Sequence, residues 1–136
     1  MPPRNPQVFL ERLAFAEGPR WHDGRLWFSD MRARQVKAVD MEGRAELITA
    51  APDRPSGLGF TPDGRLLLVL MRQRKLLRLD GATLTPVADL SGMAGTMCND
   101  MVVDAQGRAY VGNFGYDLLS GAPRKPAEIV LVVLVV

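Results

Sequence analysis

Three places in the sequence put oxygen-bearing side chains just ahead of a short apolar run: Glu17, Ser56, and Asn99 with Asp100. A carboxylate grouped with amide and carbonyl oxygens is a hard donor set, suited to calcium, magnesium or manganese, with zinc left open. An ion held by such a set would polarise a carbonyl and lower the pKa of an attacking water. That chemistry requires three places far apart in sequence to meet in space.

A repeat carries them. Gly24-Arg25, Gly64-Arg65 and Gly107-Arg108 are spaced by 40 and 43 residues, within the roughly 40 to 50 residues of one propeller blade. Seven residues before each glycine stands Glu17, Gly57 or Asp100, and just after it come apolar strands at 26–28, 66–70 and 109–111. Asp40 and Asp80 follow the first two glycines by sixteen residues and close strands at 36–39 and 76–79. The second unit reads as four strands, 58–60, 66–70, 76–79 and 84–90. The last contains Pro86, which cannot donate a ladder hydrogen bond and so belongs on an outer edge. His22-Asp23-Gly24, Pro62-Asp63-Gly64 and Ala105-Gln106-Gly107 each put glycine where a tight hairpin needs positive φ.

Amphipathic helices are excluded because the apolar runs are brief and bounded by Gly, Pro and Asp about every ten residues. The expected fold is all-β, a partial β-propeller of four-stranded antiparallel blades. One domain covers 1–136, with units at about 15–51, 56–91 and 98–136 and links at 52–55 and 91–96. In a radial array, residues just before the innermost strands of successive blades lie on a ring at the channel mouth. Glu17, Ser56 and Asn99 are therefore expected to converge.

Composition narrows the class. The 136 residues are 47% hydrophobic and 24% charged, ordinary for a soluble globular domain and unlike disordered or fibrous chains. Net charge is +2, and fourteen of the seventeen basic residues are arginines scattered among acids, which argues against nucleic acid. The lone Cys98 can form neither an internal disulfide nor a cysteine zinc site, which suits a reducing compartment; the cytoplasm is the expectation. Residues 1–6 lead into no apolar core of signal-peptide length. The apolar run 129–136 falls well short of the about 20 residues that span a bilayer, so no membrane partner is expected.

Other eye-catching residues have plainer readings. His22, the only histidine, falls at a hairpin turn and reads as a solvated turn residue rather than a base. Cys98 reads as a small buried thiol. Trp21, Trp27 and Phe28 read as packing between blades. Arg65 and Arg108 recur with the turn and read as structural surface residues.

The phrases Phe15-Ala16-Glu17-Gly18-Pro19, Trp21 with Leu26-Trp27-Phe28-Ser29-Asp30, Ser56-Gly57-Leu58, Pro62-Asp63-Gly64-Arg65 and Cys98-Asn99-Asp100 together resemble the senescence marker protein 30, gluconolactonase and luciferin-regenerating-enzyme family. The resemblance covers roughly residues 8–131. It implies a six-bladed propeller with one divalent metal in the central channel, of which this chain holds two and a half to three blades. It also implies a lactonase, or related hydrolase, of sugar-acid or related lactones. Glu17 would be the first metal ligand, with calcium the expected ion. Asn99 would contact the substrate or the water on the metal, and Asp100 would support that loop within the substrate site. The remaining ligands, an asparagine and an aspartate that is also the suspected base, belong to later blades of that family, so no catalytic residue is assigned here. The alternatives are a non-catalytic ligand- or calcium-binding module and an inactive fragment.

The end of the third unit departs from the pattern. Where earlier units close with Val39-Asp40 and Leu79-Asp80, the third runs on through 129–136 without charge or turn. A truncated or frame-shifted coding sequence is expected on that ground, with an incomplete site and weakly bound metal. The run is β-branched and lacks proline, an edge that predicts self-association. The other expected partner is a small lactone.

Overall fold

A computed structural model describes residues 1–2 and 4–134. Their eleven strands form three antiparallel sheets, and the described residues contain no helix. The first sheet holds β1 (Ala16–His22), β2 (Arg25–Asp30), β3 (Gln35–Val39) and β4 (Ala45–Ala50). The second holds β5 (Pro55–Phe60), β6 (Leu66–Leu70), β7 (Lys75–Asp80) and β8 (Thr83–Asp89). The third holds β9 (Cys98–Val103), β10 (Arg108–Asn113) and β11 (Ile129–Val133). Each is an up-and-down meander, the form of a propeller blade.

The blades stack in chain order through their first strands, with β5 packed against β1 and β2 on one side and β9 on the other. That position explains the unbroken apolar run of β6, because a strand covered on both faces has no polar side to alternate with. Leu66, Leu68 and Leu70 join Val36, Leu58 and Leu77 at the seam with the first blade. Leu67 and Val69 join Met101, Ala109, Val111 and Val130 at the seam with the third. Pro86 lies on β8, which among the described residues pairs only with β7.

Carboxylates latch the hairpins. Gly24, Gly64 and Gly107 take φ of 75°, 85° and 78°. Asp104 Oδ1 accepts the N–H groups of Gln106 and Arg108 at 3.0 Å, and its other oxygen takes Arg108 Nε at 2.6 Å. Asp40 does the same for Glu42 and Arg44. Arg65 joins Asp63 and Asp80, so the arginines after the turn glycines are structural. Arg108's backbone N–H holds Asp104 at about 2. Arg78's guanidinium holds Asp80 far below the carboxylate range, and the bonds from Arg44 and Thr61 lower Asp40 and Asp63.

These groups have a folded pKa below the unfolded one, so their stabilisation is fully present above the usual carboxylate value of 3.8 and disappears as pH falls through the folded values. Thermal melts followed by circular dichroism should therefore be flat between about pH 7 and 5 and fall steeply between about pH 4 and 2.

Several details depart from the sequence reading. Pro55, placed in a link, opens β5 opposite Leu70. His22 is no solvated turn residue: its ring stacks on Phe60 with centroids 3.6 Å apart, and Trp27 meets it edge-on at 5.9 Å. The turn contains only Asp23 and Gly24, so His22 still pairs with Arg25 on the strand and reaches the seam between blades. Strand alternation sends Trp21 to the opposite side, where it is 60% exposed, rather than between blades. Trp27 packs between blades as expected, whereas Phe28 is buried on the opposite face, beside Leu10 and Leu13 of the leading segment and Leu26 of its own blade.

The terminal run pairs with β10 from Gly112↔Ile129 to Arg108↔Val133, and its other edge has no partner strand among the described residues. Residues 135 and 136 of that run lie outside the described residues. Alternation buries Val130 and leaves Val133 63% exposed. Val133→Lys should therefore keep the fold and blunt association through this edge. Light scattering of both forms checks it; equal behaviour would mean that the edge is already covered.

Candidate functional site

The first strand of every blade carries one extra residue at the same height. Gly18 and Pro19 oppose Phe28 between the pairs Glu17↔Ser29 and Arg20↔Trp27. Ser56 and Gly57 oppose Val69 between Pro55↔Leu70 and Leu58↔Leu68. Asn99 and Asp100 oppose Gly112 between Cys98↔Asn113 and Met101↔Val111. A bulge bends its strand and re-aims a side chain. Three in register turn three polar side chains toward one place.

Glycine then lets the strands approach. A Cβ on Gly18, whose φ is 63°, would stand 2.5 Å from the Ser56 carbonyl oxygen. One on Gly57 would stand 2.5 Å from Met101 N and 2.9 Å from Asn99 O. No other residue type fits either place without moving a backbone, which gives Glu-Gly-Pro and Ser-Gly a steric meaning.

Ser56 is the hub. Its side chain is fully buried, with Oγ 3.1 Å from Glu17 Oε2 and 2.9 Å from Asn99 Oδ1, and its carbonyl accepts from Ser29 Oγ at 2.7 Å. A serine hydroxyl has one hydrogen. It can donate to one of its two acceptors at a time, so the other faces it without a proton. A carboxylate, an amide oxygen and a hydroxyl short of hydrogens fit a hard cation, and supply about half of the 6 to 8 oxygens calcium prefers. No three His, Cys, Asp or Glu side chains gather as a cation site among the described residues.

The structure thus brings Glu17, Ser56 and Asn99 together. Asp100 lines a cleft with Asn99, and its carboxylate accepts Arg20 Nη2 at 2.9 Å and the Met101 N–H at 2.7 Å. Arg20 also donates to the carbonyls of Met101 and Pro19, clasping the first blade to the third. Asp100 thus holds the start of β9 through this clasp. The pair is well exposed, with Asp100 at 59%, so its strength is at most about 1 kcal/mol.

Two buried aspartates, Asp30 and Asp53, have roles that the sequence reading does not assign. Asp30 accepts the N–H groups of Phe15 and Ala14 and the Lys37 ammonium, tying down the chain that leads into Glu17. Burial alone would raise its pKa; the Phe15 N–H, the Lys37 ammonium and the Ala14 N–H together outweigh that and lower it. Asp53 accepts the N–H groups of Arg72 and Gln73. The available signal was an aspartate at a strand end or in a link, where backbone donors lack partners. Cys98 is buried and burial pushes its thiol up, in keeping with an inert space-filling role.

A row of propeller blades whose bulged inner strands gather an oxygen cluster defines the class of this protein. The chain belongs to the SMP-30/gluconolactonase/LRE-like family, whose profile matches residues 15–131. It is similar to a gluconolactonase from Xanthomonas campestris, at 20% identity and a TM-score of 0.67 over 77% of this chain and 37% of that one. It is similar to the calcium-binding protein regucalcin from Agrobacterium tumefaciens, at 24% identity and a TM-score of 0.60 over 74% of this chain and 35% of that one. A luciferin-regenerating enzyme aligns at 14% identity and a TM-score of 0.66, over 88% of this chain and 44% of the other. These likenesses are ones of fold, and the chain spans less than half the length of each relative. No curated protein matches the sequence significantly.

Proposed function

We propose that these blades carry part of a divalent-cation-dependent lactonase site, acting on sugar-acid or related lactones. The observation behind this reading is the convergence of Glu17 Oε2 and Asn99 Oδ1 on the single hydroxyl hydrogen of Ser56. Family membership and the gluconolactonase and regucalcin neighbours support it. Glu17, Asn99 and Ser56 would hold calcium, or else magnesium, manganese or zinc, and the bound ion would polarise a lactone carbonyl. In the reaction, water adds to the carbonyl carbon and the ring C–O bond breaks. The ring oxygen takes a proton, and the hydroxy acid formed releases one proton at neutral pH. Ser56 fixes the carboxylate and the amide, and Asn99 orients the substrate by hydrogen bonding. The base and further donors come from outside this cluster.

Glu17 is the one ionisable side chain in the cluster, which favours a second reading: ligand or calcium binding without turnover. Proton release from glucono-δ-lactone in a pH-stat separates the two. The lactonase reading expects hydrolysis that a chelator stops and Glu17→Gln removes; hydrolysis indifferent to both would overturn it. Calcium bound without proton release would favour the binder. With three donors and one charge, calcium affinity should be weak, with a Kd of about 1 mM or above. Titration calorimetry checks this, and tight binding abolished by Glu17→Gln would mean that the chain completes its own shell.

A further inference from the structure

The two ends of the blades differ in how their arginines are used. At the hairpin end Arg25, Arg44, Arg65, Arg78 and Arg108 all pair with carboxylates. At the end where Glu17 and Asn99 lie, the β2–β3 and β6–β7 turns repeat a motif, Met31-Arg32-Ala33-Arg34 and Met71-Arg72-Gln73-Arg74. Their backbones match: Met31 and Met71 donate to the carbonyls of Phe15 and Arg54, while Arg34 and Arg74 accept from Ala51 and Leu90.

Arg34 and Arg74 sit at φ of 56° and 54°, a conformation that glycine or asparagine would take at less cost. The turn itself therefore gives no reason for arginine. None of Arg32, Arg34, Arg72 and Arg74 forms an ion pair among the described residues.

Beside the second of these turns lies an open cleft of about 640 Å³, lined by Arg72, Arg74, Gly95, Thr96, Asp117 and Ser120 among others. Lys125 reaches its edge, with Nζ 3.1 Å from the point where Gly95 would carry a Cβ. Arg74 Nη1 donates to the Ala94 carbonyl at 3.0 Å, which fixes its guanidinium. The Asp117 carboxylate also lines the cleft, where it caps the Ser120 N–H at 3.2 Å. Three cations thus stand against one acid. Asp89, outside the cleft, accepts the Ser91 N–H and also feels the charge of Arg74, which leaves Arg72 and Lys125 as the less compensated cations. Asn99 itself lines a second cleft, with Arg20, Asp100 and Asn113. The start of β9 links the two: Met97 lines the arginine cleft, and Cys98 N–H, one residue before Asn99, donates to Met71 O at 3.1 Å.

We propose that this cleft seats the phosphate of a phosphorylated sugar lactone whose ring lies at Asn99, an assignment of substrate class that rests on the lactonase reading. Guanidinium groups match the planar spacing of such oxyanions, and unpaired cations around a mouth draw them in.

Binding to the full chain in a chelator tests it without any turnover. Titration with 6-phosphogluconate should give affinity at least tenfold above that for gluconate, and sorbitol should not bind. The double variant Arg72→Gln/Lys125→Gln should lose at least tenfold, with Arg108→Gln, at the hairpin end, unchanged. An equal loss in Arg108→Gln, or no preference for the phosphorylated probe, would overturn the proposal. Inorganic phosphate binding as tightly as 6-phosphogluconate would overturn the substrate class. Because these measurements need neither metal nor hydrolysis, the cleft can pass while the lactonase reading fails in the pH-stat, and the reverse.

Discussion

Gly57→Ala should separate the second blade from the third and cost about 3 kcal/mol or more, the range of a severe overpacking change. The added methyl would meet Met101 N at 2.5 Å, Asp100 C at 2.8 Å and Asn99 O at 2.9 Å. All three are backbone atoms of β9, so relief requires the whole strand to move. That displacement also pulls Asn99 off Ser56 and opens the oxygen cluster. Gly92→Ala is the control, since its Cβ would meet nothing within 4 Å. Urea unfolding of the two variants gives the comparison, and equal midpoints would mean that the seam between β5 and β9 is looser than described.

Leu68→Ala is expected to cost about 3 to 4 kcal/mol, the middle of the range for a buried leucine that leaves a cavity behind. Leu68 is fully buried, and its neighbours Val36, Leu58 and Leu77 come from strands of two blades. Rigid strands on both sides limit collapse into the space. The melting temperature should fall by about 10 °C. Leu47→Ala, on β4 and 53% exposed, should change stability by no more than about 0.5 kcal/mol. A loss at Leu68 no larger than at Leu47 would contradict the packed seam.

Local chemistry determined what the sequence could specify by itself. Glycine after Asp or Gln marks a hairpin because few residues take positive φ, and Gly24, Gly64 and Gly107 do. Apolar runs of five residues bounded by breakers are too short for helices, and proline without an N–H puts β8 at an edge. The 40-residue spacing gave the blades, and with them the ring on which Glu17 and Asn99 meet. Tertiary structure decided the rest, because it depends on what lies across a strand or a seam. Period-two alternation assigns a residue to a face and leaves open what covers that face, so Trp21 and His22 were both misplaced. The bulges exist only in register with β2, β6 and β10. Ser56 became the hub because Gly18 and Gly57 admit backbone from other blades, 39 and 43 residues away from its two acceptors. Arg20 reached Asp100 across 80 residues, and Asp30 reached back to Phe15. Contacts of that separation are set by the angle between blades, which no local run of residues encodes.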